Sequence, residues 1–474
     1  MPRRGGRDAA EAMADRDATP AHAATEGLLA RIAEADGQPF RADDERLALS
    51  GLRAGREVLL ARIPPDEAAP PWWDARHRGL GLCRAHLDGA DLVEADLSGA
   101  NLSGASLVGA LARSARFEGA ILEEANFSEA DCSGANFTGI VGGEAHFSDA
   151  MLEDADFTGA TMRFARMQRA LLDGATFARA DLWGADFTGA DADYSRFDGG
   201  RLDEANLSDM NLTFANFDGA SLKKARLTGS RLRGASLSGA ALDGADLSGA
   251  DLSDTNLVRL NLMSCRLRHA RFSGALLTGV RFRVDQLGGA VGEEIAGEYE
   301  AAQASYLAIE HNMKSIGSHD EASWAYKRGR RMGRLHAGAE ARAAWSRRTR
   351  APKTWKPVLQ SGYRWVADRF VEWLCDYGES LSRIARAFVI LIFVFGALFG
   401  IAGGLIPEGG NGSATYNPLD LLSYSALNMM TANPPEIGVK PVGRFTNLLV
   451  GIEGAAGIIL MGLFGFVLGN RLRR

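Results

Sequence analysis

Residues 85–104 read Ala85-His86-Leu87-Asp88-Gly89-Ala90-Asp91-Leu92-Val93-Glu94-Ala95-Asp96-Leu97-Ser98-Gly99-Ala100-Asn101-Leu102-Ser103-Gly104, and this stretch decides the architecture of the first half of the chain. Leu recurs at every fifth residue, and Ala stands two positions before each Leu. The period continues without insertion or deletion from Ala85 to Phe282, forty units in one register. At the central position, from Leu87 to Phe282, 34 of 40 residues are Leu or Phe, and 31 of 40 two positions earlier are Ala, so the period is structural rather than a bias of composition. A period of five fits neither the 3.6 of a helix nor the 2 of a strand. Each unit must therefore be one equivalent side of a coil that stacks on itself, with large and small residues alternating inward.

The unit A(D/N)LXX, as in Ala90-Asp91-Leu92-Val93-Glu94 and Ala245-Asp246-Leu247-Ser248-Gly249, resembles the pentapeptide-repeat family. That resemblance implies a right-handed quadrilateral β-helix with four units per coil over residues 81–285. Ten coils at ~4.8 Å make a rod of about 50 Å. Each central side chain buried contributes roughly 1.5–3 kcal/mol. The weak centres are Ala112, Cys132, Gly142 and Ala192, and Ile140 at an Ala position beside Gly142 restores lost volume, so no break is expected there.

Bulk composition leaves the class open, since 46% hydrophobic residues suit a globular chain. A formal net charge of -6 opposes general nucleic-acid binding, and no nucleic-acid partner is expected. The four cysteines, Cys83, Cys132, Cys265 and Cys375, lie far apart without metal-ligand spacing and fit a reducing compartment. Residues 1–24 lack an apolar secretory core and read as a disordered tail, and 25–80 read as a helical cap on the first coil. Residues 85–282 carry 28 acids and 18 bases, with cations clustered at Arg163, Arg166, Arg169, Lys223, Lys224, Arg226, Arg231 and Arg233. Some pentapeptide-repeat proteins imitate DNA and bind topoisomerases, but this acidity is diluted by the basic clusters, and a scaffold or a surface for an unknown protein or ligand is the plainer reading. No catalytic triad, metal spacing or phosphate loop occurs in it, so neither an enzyme nor a cofactor is expected.

Beyond Phe282 the period stops, and residues 286–350 read as a helical hairpin followed by a basic segment. Tyr299, Ala302, Tyr306, Ile309, Met313 and Ile316 fall on one helix face, and Ser318 with Glu321 has capping-box spacing for a second helix. Such a hairpin is similar to the insertion between repeats and pore in pentapeptide-repeat channel-like proteins. From Lys327 to Lys356 there are eleven Lys or Arg and one acid, Glu340. Arg347, Arg348, Arg350, Lys353 and Lys356 are the candidates for lipid headgroups, attracted by about 1 kcal/mol each near an anionic surface. Residues 351–384 read as an interfacial amphipathic helix with Val366, Phe370, Trp373 and Tyr377 on one face.

Residues 385–474 read as two spanning helices joined by a loop. Ala387 to Ile406 carries no charge, and the second apolar run, Phe445 to Leu468, holds one acid, Glu453. Arg383 and Arg386 before the first, and Arg471, Arg473 and Arg474 after the second, place both chain ends on the cytoplasmic side of a bacterial inner membrane. The loop sequence Ser423 to Ile437, then Pro441-Val442-Gly443-Arg444, resembles the pore helix and filter of two-helix potassium-channel modules, which implies a homotetramer around a permeating cation. Thr431 takes the place of the filter threonine and Glu436-Ile437 that of Asp-Ile, but Ala432-Asn433-Pro434-Pro435 replaces the glycine-bearing filter. Proline fixes its own φ and restricts its predecessor, so a potassium-type carbonyl ladder is not expected. Two outcomes stay open: a wider, poorly selective pore with Asn433 and Glu436 as polar rings, or a degenerate, closed pore. Glu453 is read as support for the pore loop, with an ion-path role or interfacial exposure as alternatives, and Gly457 and Gly462 as close-packing positions or a gating bend. Three functions remain: a channel governed by a solenoid, a non-conducting membrane-anchored scaffold or sensor, and a DNA-mimicking inhibitor of topoisomerases.

Overall fold

The computed structural model describes residues 73–74, 79–348, 356–378, 380–407, 413–431 and 438–472. Of the 25–80 stretch read as a helical cap, 25–72 and 75–78 lie outside them, and the described residues 73–74 and 79–80 are strands rather than helix. The chain divides into two compact units, Met1–Glu321 and Ala322–Arg474.

In the first unit a short antiparallel pair, β1 (Trp73–Asp74) and β2 (Gly79–Leu80), precedes the solenoid. Parallel bridges then join the residues before the centres to those twenty residues on, from Gly81↔Asn101 to Asn261↔Arg281 with a gap at Ala241, so one coil is four five-residue units. Each turn is closed by the Ala N–H, as where Ala90 N donates to Leu87 O at 3.1 Å. The preference for Asp or Asn before each centre has a local cause: Oδ1 of Asp91, Asp96 and Asn101 accepts the N–H two residues on, at 3.2, 3.1 and 3.2 Å. The residue two after the centre is left-handed in every unit from Leu82 to Leu277 except at Ser264, as with Gly89 at φ 64° and Glu94 at φ 55°. A non-glycine residue there costs roughly 1–2 kcal/mol, which the ladder offsets.

The interior is dry and stacked. Phe117, Phe137, Phe157, Phe177, Phe197 and Phe217 form one column with ring centroids 4.6–5.0 Å apart, and Phe127 and Phe147 meet it edge-on. The ladder passes through Gly142 unbroken, with Ile140 Cδ1 3.6 Å from where a Gly142 Cβ would lie. Where Ala is replaced by a hydroxyl residue, that hydroxyl donates within its own turn, Ser195 to Ala192 O at 2.7 Å and Thr255 to Leu252 O at 2.6 Å.

The last coil would end in orphaned backbone groups, and helical side chains take them. These come from α1 (Gly292–Ala296), α2 (Tyr299–Ser315) and the turn Val284–Leu287 before them. Asn312 pairs with both N and O of Val280, at 3.2 and 2.9 Å, and Glu293 accepts from Phe272 N and Ser273 N, both at 2.9 Å. Ala302, Tyr306, Ile309 and Met313 of the expected face are fully buried, whereas Ile316 is 40% exposed. Ser318 and Glu321 do not form the expected backbone capping box: their side chains bond each other at 2.9 Å, and Glu321 accepts Val284 N at 3.2 Å. Glu321 is used to hold the preceding turn.

Helix α3 (His319–Arg348) begins in the first unit and runs into the second. The second unit continues with α4 (Lys356–Cys375), α5 (Leu381–Ala402), β3 (Leu405–Pro407), α6 (Pro418–Thr431), β4 (Val439–Pro441) and α7 (Arg444–Leu472). Strands β3 and β4 pair antiparallel, Leu405↔Pro441 to Pro407↔Val439, and tie the two ends of the loop together. Among the described residues two helices are long and apolar enough to cross a membrane, Leu381–Ala402 and Arg444–Gly469, and only 28% of the apolar stretch of each is buried. A core helix of a soluble domain would be mostly covered; here Phe393, Ile401, Ile459 and Phe466 are 59–84% exposed.

Candidate functional site

The second unit is built around α6. Asn417 Oδ1 accepts Leu419 N at 3.2 Å, Pro418 opens the helix and Asp420 lies in its first turn, all start signals. At fourteen residues α6 is about 21 Å long, too short to span a bilayer core. Its apolar face is clasped by α5 and α7: Phe395 and Phe399 of α5, Leu421 and Tyr424 of α6 and Leu449 of α7 form one core, with Phe399 edge-on to Tyr424 at 5.5 Å.

Inside this packing lies a closed polar cluster. Glu453 of α7 is fully buried and accepts from Ser425 Oγ and, at 2.7 Å, from Asn428 Nδ2. Asn428 Nδ2 also donates to Val450 O at 3.0 Å, and Ser425 Oγ lies 3.0 Å from Ile392 O of α5. Asn428 Oδ1 is buried without a partner. One carboxylate thus joins α6 to α7, and its serine reaches α5. Ser425 and Asn428 stood in the loop sequence without a role; their spacing of three, which puts two polar groups on one face of an apolar helix, is the signal that marks them.

Close approach at the C-terminal end of α6 depends on Gly457, where an added Cβ would sit 2.0 Å from Met429 O. Gly462 meets nothing within 4 Å, and α7 runs as one helix through both. Thr431 is the last residue of α6, its side chain not described, while Ala432, Asn433, Pro434, Pro435, Glu436 and Ile437 lie outside the described residues.

The N-terminal part of the basic stretch is paired within the second unit. Arg330 and Arg334 of α3 pair with Asp368 and Glu372 of α4 at 2.8 and 2.9 Å, and Lys327 reaches Asp376 at 3.5 Å. Arg383 of α5 meets Asp376 at 3.4 Å and donates to Glu372 O at 2.8 Å. The acids at 368, 372 and 376 recur every four residues, which was the legible sign. On α4, Val366, Phe370 and Trp373 are exposed, but Tyr377 is not on that face: the helix ends at Cys375, and Tyr377, at φ 59°, turns inward to 8% exposure. Of the headgroup candidates, Arg347 and Arg348 end α3 and Lys356 opens α4, their side chains not described, and Arg350 and Lys353 lie outside the described residues.

Residues 82–119, 105–141, 143–177, 170–209, 211–249 and 245–283 match the family described as Pentapeptide repeats (8 copies). The solenoid is a pentapeptide-repeat domain. Among solved structures, HetL, a pentapeptide repeat protein involved in heterocyst differentiation regulation from the cyanobacterium Nostoc sp. strain PCC 7120, is 31% identical, over 41% of this chain and 86% of that one, with a TM-score of 0.36. A pentapeptide repeat protein of the Arabidopsis thaliana thylakoid lumen is 30% identical over 20% of this chain and 63% of its own, with a TM-score of 0.16. QnrB1, a plasmid-mediated fluoroquinolone resistance protein, is 21% identical over 33% and 92%, with a TM-score of 0.16. No curated protein matches the chain. The family match lies within residues 82–283.

Proposed function

We propose that this chain is a non-enzymatic, multi-pass inner-membrane protein whose α5–α6–α7 module assembles, as a homotetramer, into a cation-conducting pore carrying a pentapeptide-repeat domain as a cytoplasmic scaffold or sensing surface. We read that domain as a right-handed quadrilateral β-helix. The observation that carries the channel reading is the half-length helix α6, held between two spanning-length helices by the buried Glu453–Ser425–Asn428 cluster. A buried carboxylate in such a setting is costly unless it organises protein around it. α6 ends at Thr431, directly before residues 432–437, so the negative end of its dipole adjoins that segment and favours a cation there. Two helices per chain cannot enclose a path, which is why an oligomer is required. With Asn433-Pro434-Pro435 in place of glycines, the pore is read as wide and non-selective, with Asn433 and Glu436 as polar rings. The same prolines favour the competing reading, a non-conducting membrane-anchored scaffold. Liposome flux of the purified full-length protein separates the two: the channel reading expects cation flux that changes with Asn433→Ala and Glu436→Gln, and silence under every bath composition supports the scaffold.

A further inference from the structure

One side of the pentapeptide-repeat domain departs from the repeat over several successive coils. Two residues after the centre, where Gly is common, stand Tyr194 and Phe214, 65% and 51% exposed, with rings stacked at 5.1 Å and 21°. Phe214 lies over Gly234, where a Cβ would come within 2.5 Å of the ring, so the bare backbone of the next coil is what lets the aromatic lie flat. One and two coils before Tyr194, on the same side, Leu171 and Met151 are exposed in place of the usual Asp or Asn. Beside them Asp173, Asp191 and Asp193 bring carboxylate oxygens within 4.8 Å of one another, and Asp193 Oδ1 is buried without a partner.

Several acids elsewhere in the solenoid are neutralised from a neighbouring coil, as with Arg169–Asp149 at 2.5 Å, Arg163–Asp181 at 2.8 Å and Lys224–Glu204 at 3.1 Å. Among the described residues none of the three acids has an ion pair; Asp191 accepts only the neutral amide of Asn211, at 2.7 Å. Burial and the neighbouring Asp191 and Asp193 charges push the Asp173 carboxyl up. An exposed aromatic platform beside uncompensated carboxylates is what a cation on a partly apolar stem complements: the rings attract the charge at their faces and the carboxylates accept its N–H groups.

We propose that this side of the domain, centred on Tyr194, Phe214, Asp191 and Asp193, docks a cationic peptide segment of a partner protein in which Arg or Lys alternates with apolar residues. The surface lies wholly within the first unit, so its test is independent of conduction. The test is fluorescence anisotropy of a labelled peptide of alternating Arg and Leu on the full-length protein in mild detergent. Tyr194→Ala/Phe214→Ala and the near-isosteric Asp191→Asn/Asp193→Asn should each weaken binding about tenfold or more, while Asp149→Asn/Asp209→Asn, two charges removed from another side of the coil, should change it less than about twofold. Equal weakening by the two Asp→Asn pairs, unchanged binding in the ring variant at intact thermal stability, or calcium taken up at the carboxylates with no peptide bound would each overturn the proposal.

Discussion

At the scale of single residues, the repeat works by giving every position one physical task, and departures are locally repaired. Cys132 and Cys265 occupy interior positions, where burial raises both thiols, Cys265 to about 12, while Cys83 lies exposed at the start of the ladder. Maleimide labelling of the native protein should therefore modify Cys83 within minutes and leave Cys132 and Cys265 unlabelled until denaturant is added; early labelling of either would contradict the packed interior. The Asp side chains that tie turns also set a pH response. Burial alone would raise Asp186, Asp203 and Asp246, but hydroxyl, backbone and side-chain hydrogen bonds hold all three below the usual carboxylate range. A depressed carboxyl stabilises the fold above its unfolded value of about 3.9, and that stability drains as pH falls through the folded values. Thermal melts should thus be flat from neutrality to about pH 5 and fall below about pH 4. The Asp/Asn preference was visible in the sequence as a statistic; its cause, the N–H two residues on, became visible only with the backbone.

At the scale of elements, the sequence carries strong information where a period repeats and weak information where one side chain holds several helices. The five-residue period marked every interior Leu and Phe because forty units repeat one environment. The helical cap on the last coil was not legible, since Asn312, Gln286 and Glu293 act by reaching backbone groups 21 to 32 residues away. The same holds for Glu453, legible as an anomalous acid but not by its partners. Glu453→Ala takes one acceptor each from Asn428 and Ser425, leaving them only Val450 O and Ile392 O, and should lower stability by about 1–3 kcal/mol. Glu453→Gln keeps one acceptor and offers its amide to the unpartnered Asn428 Oδ1, so its melting temperature should lie near wild type; equal loss in both would contradict a hydrogen-bonding role. The α3–α4 ladder is tested by charge exchange. Arg334 and Glu372 are 9% and 19% exposed, so Arg334→Glu and Glu372→Arg should each cost about 2 kcal/mol, with the double variant recovering part of it.

At the scale of the whole molecule, two kinds of surface occur in one chain. The pentapeptide-repeat domain buries the Leu and Phe side chains at its repeat centres almost completely within its own coils, whereas α5 and α7 leave most of their apolar surface uncovered. That contrast was legible in the sequence as an uncharged run from Ala387 to Ile406 beside a period-five half. What the loop does was less legible, because the potassium-channel likeness fails at the three residues that would decide selectivity. The account therefore turns on assembly. Cryo-microscopy of the detergent-solubilised full-length protein tests it most directly: the account predicts a fourfold particle with α6 tilted toward the symmetry axis and residues 431–437 lining it, and a monomer, or a particle with that segment turned to lipid, would contradict it.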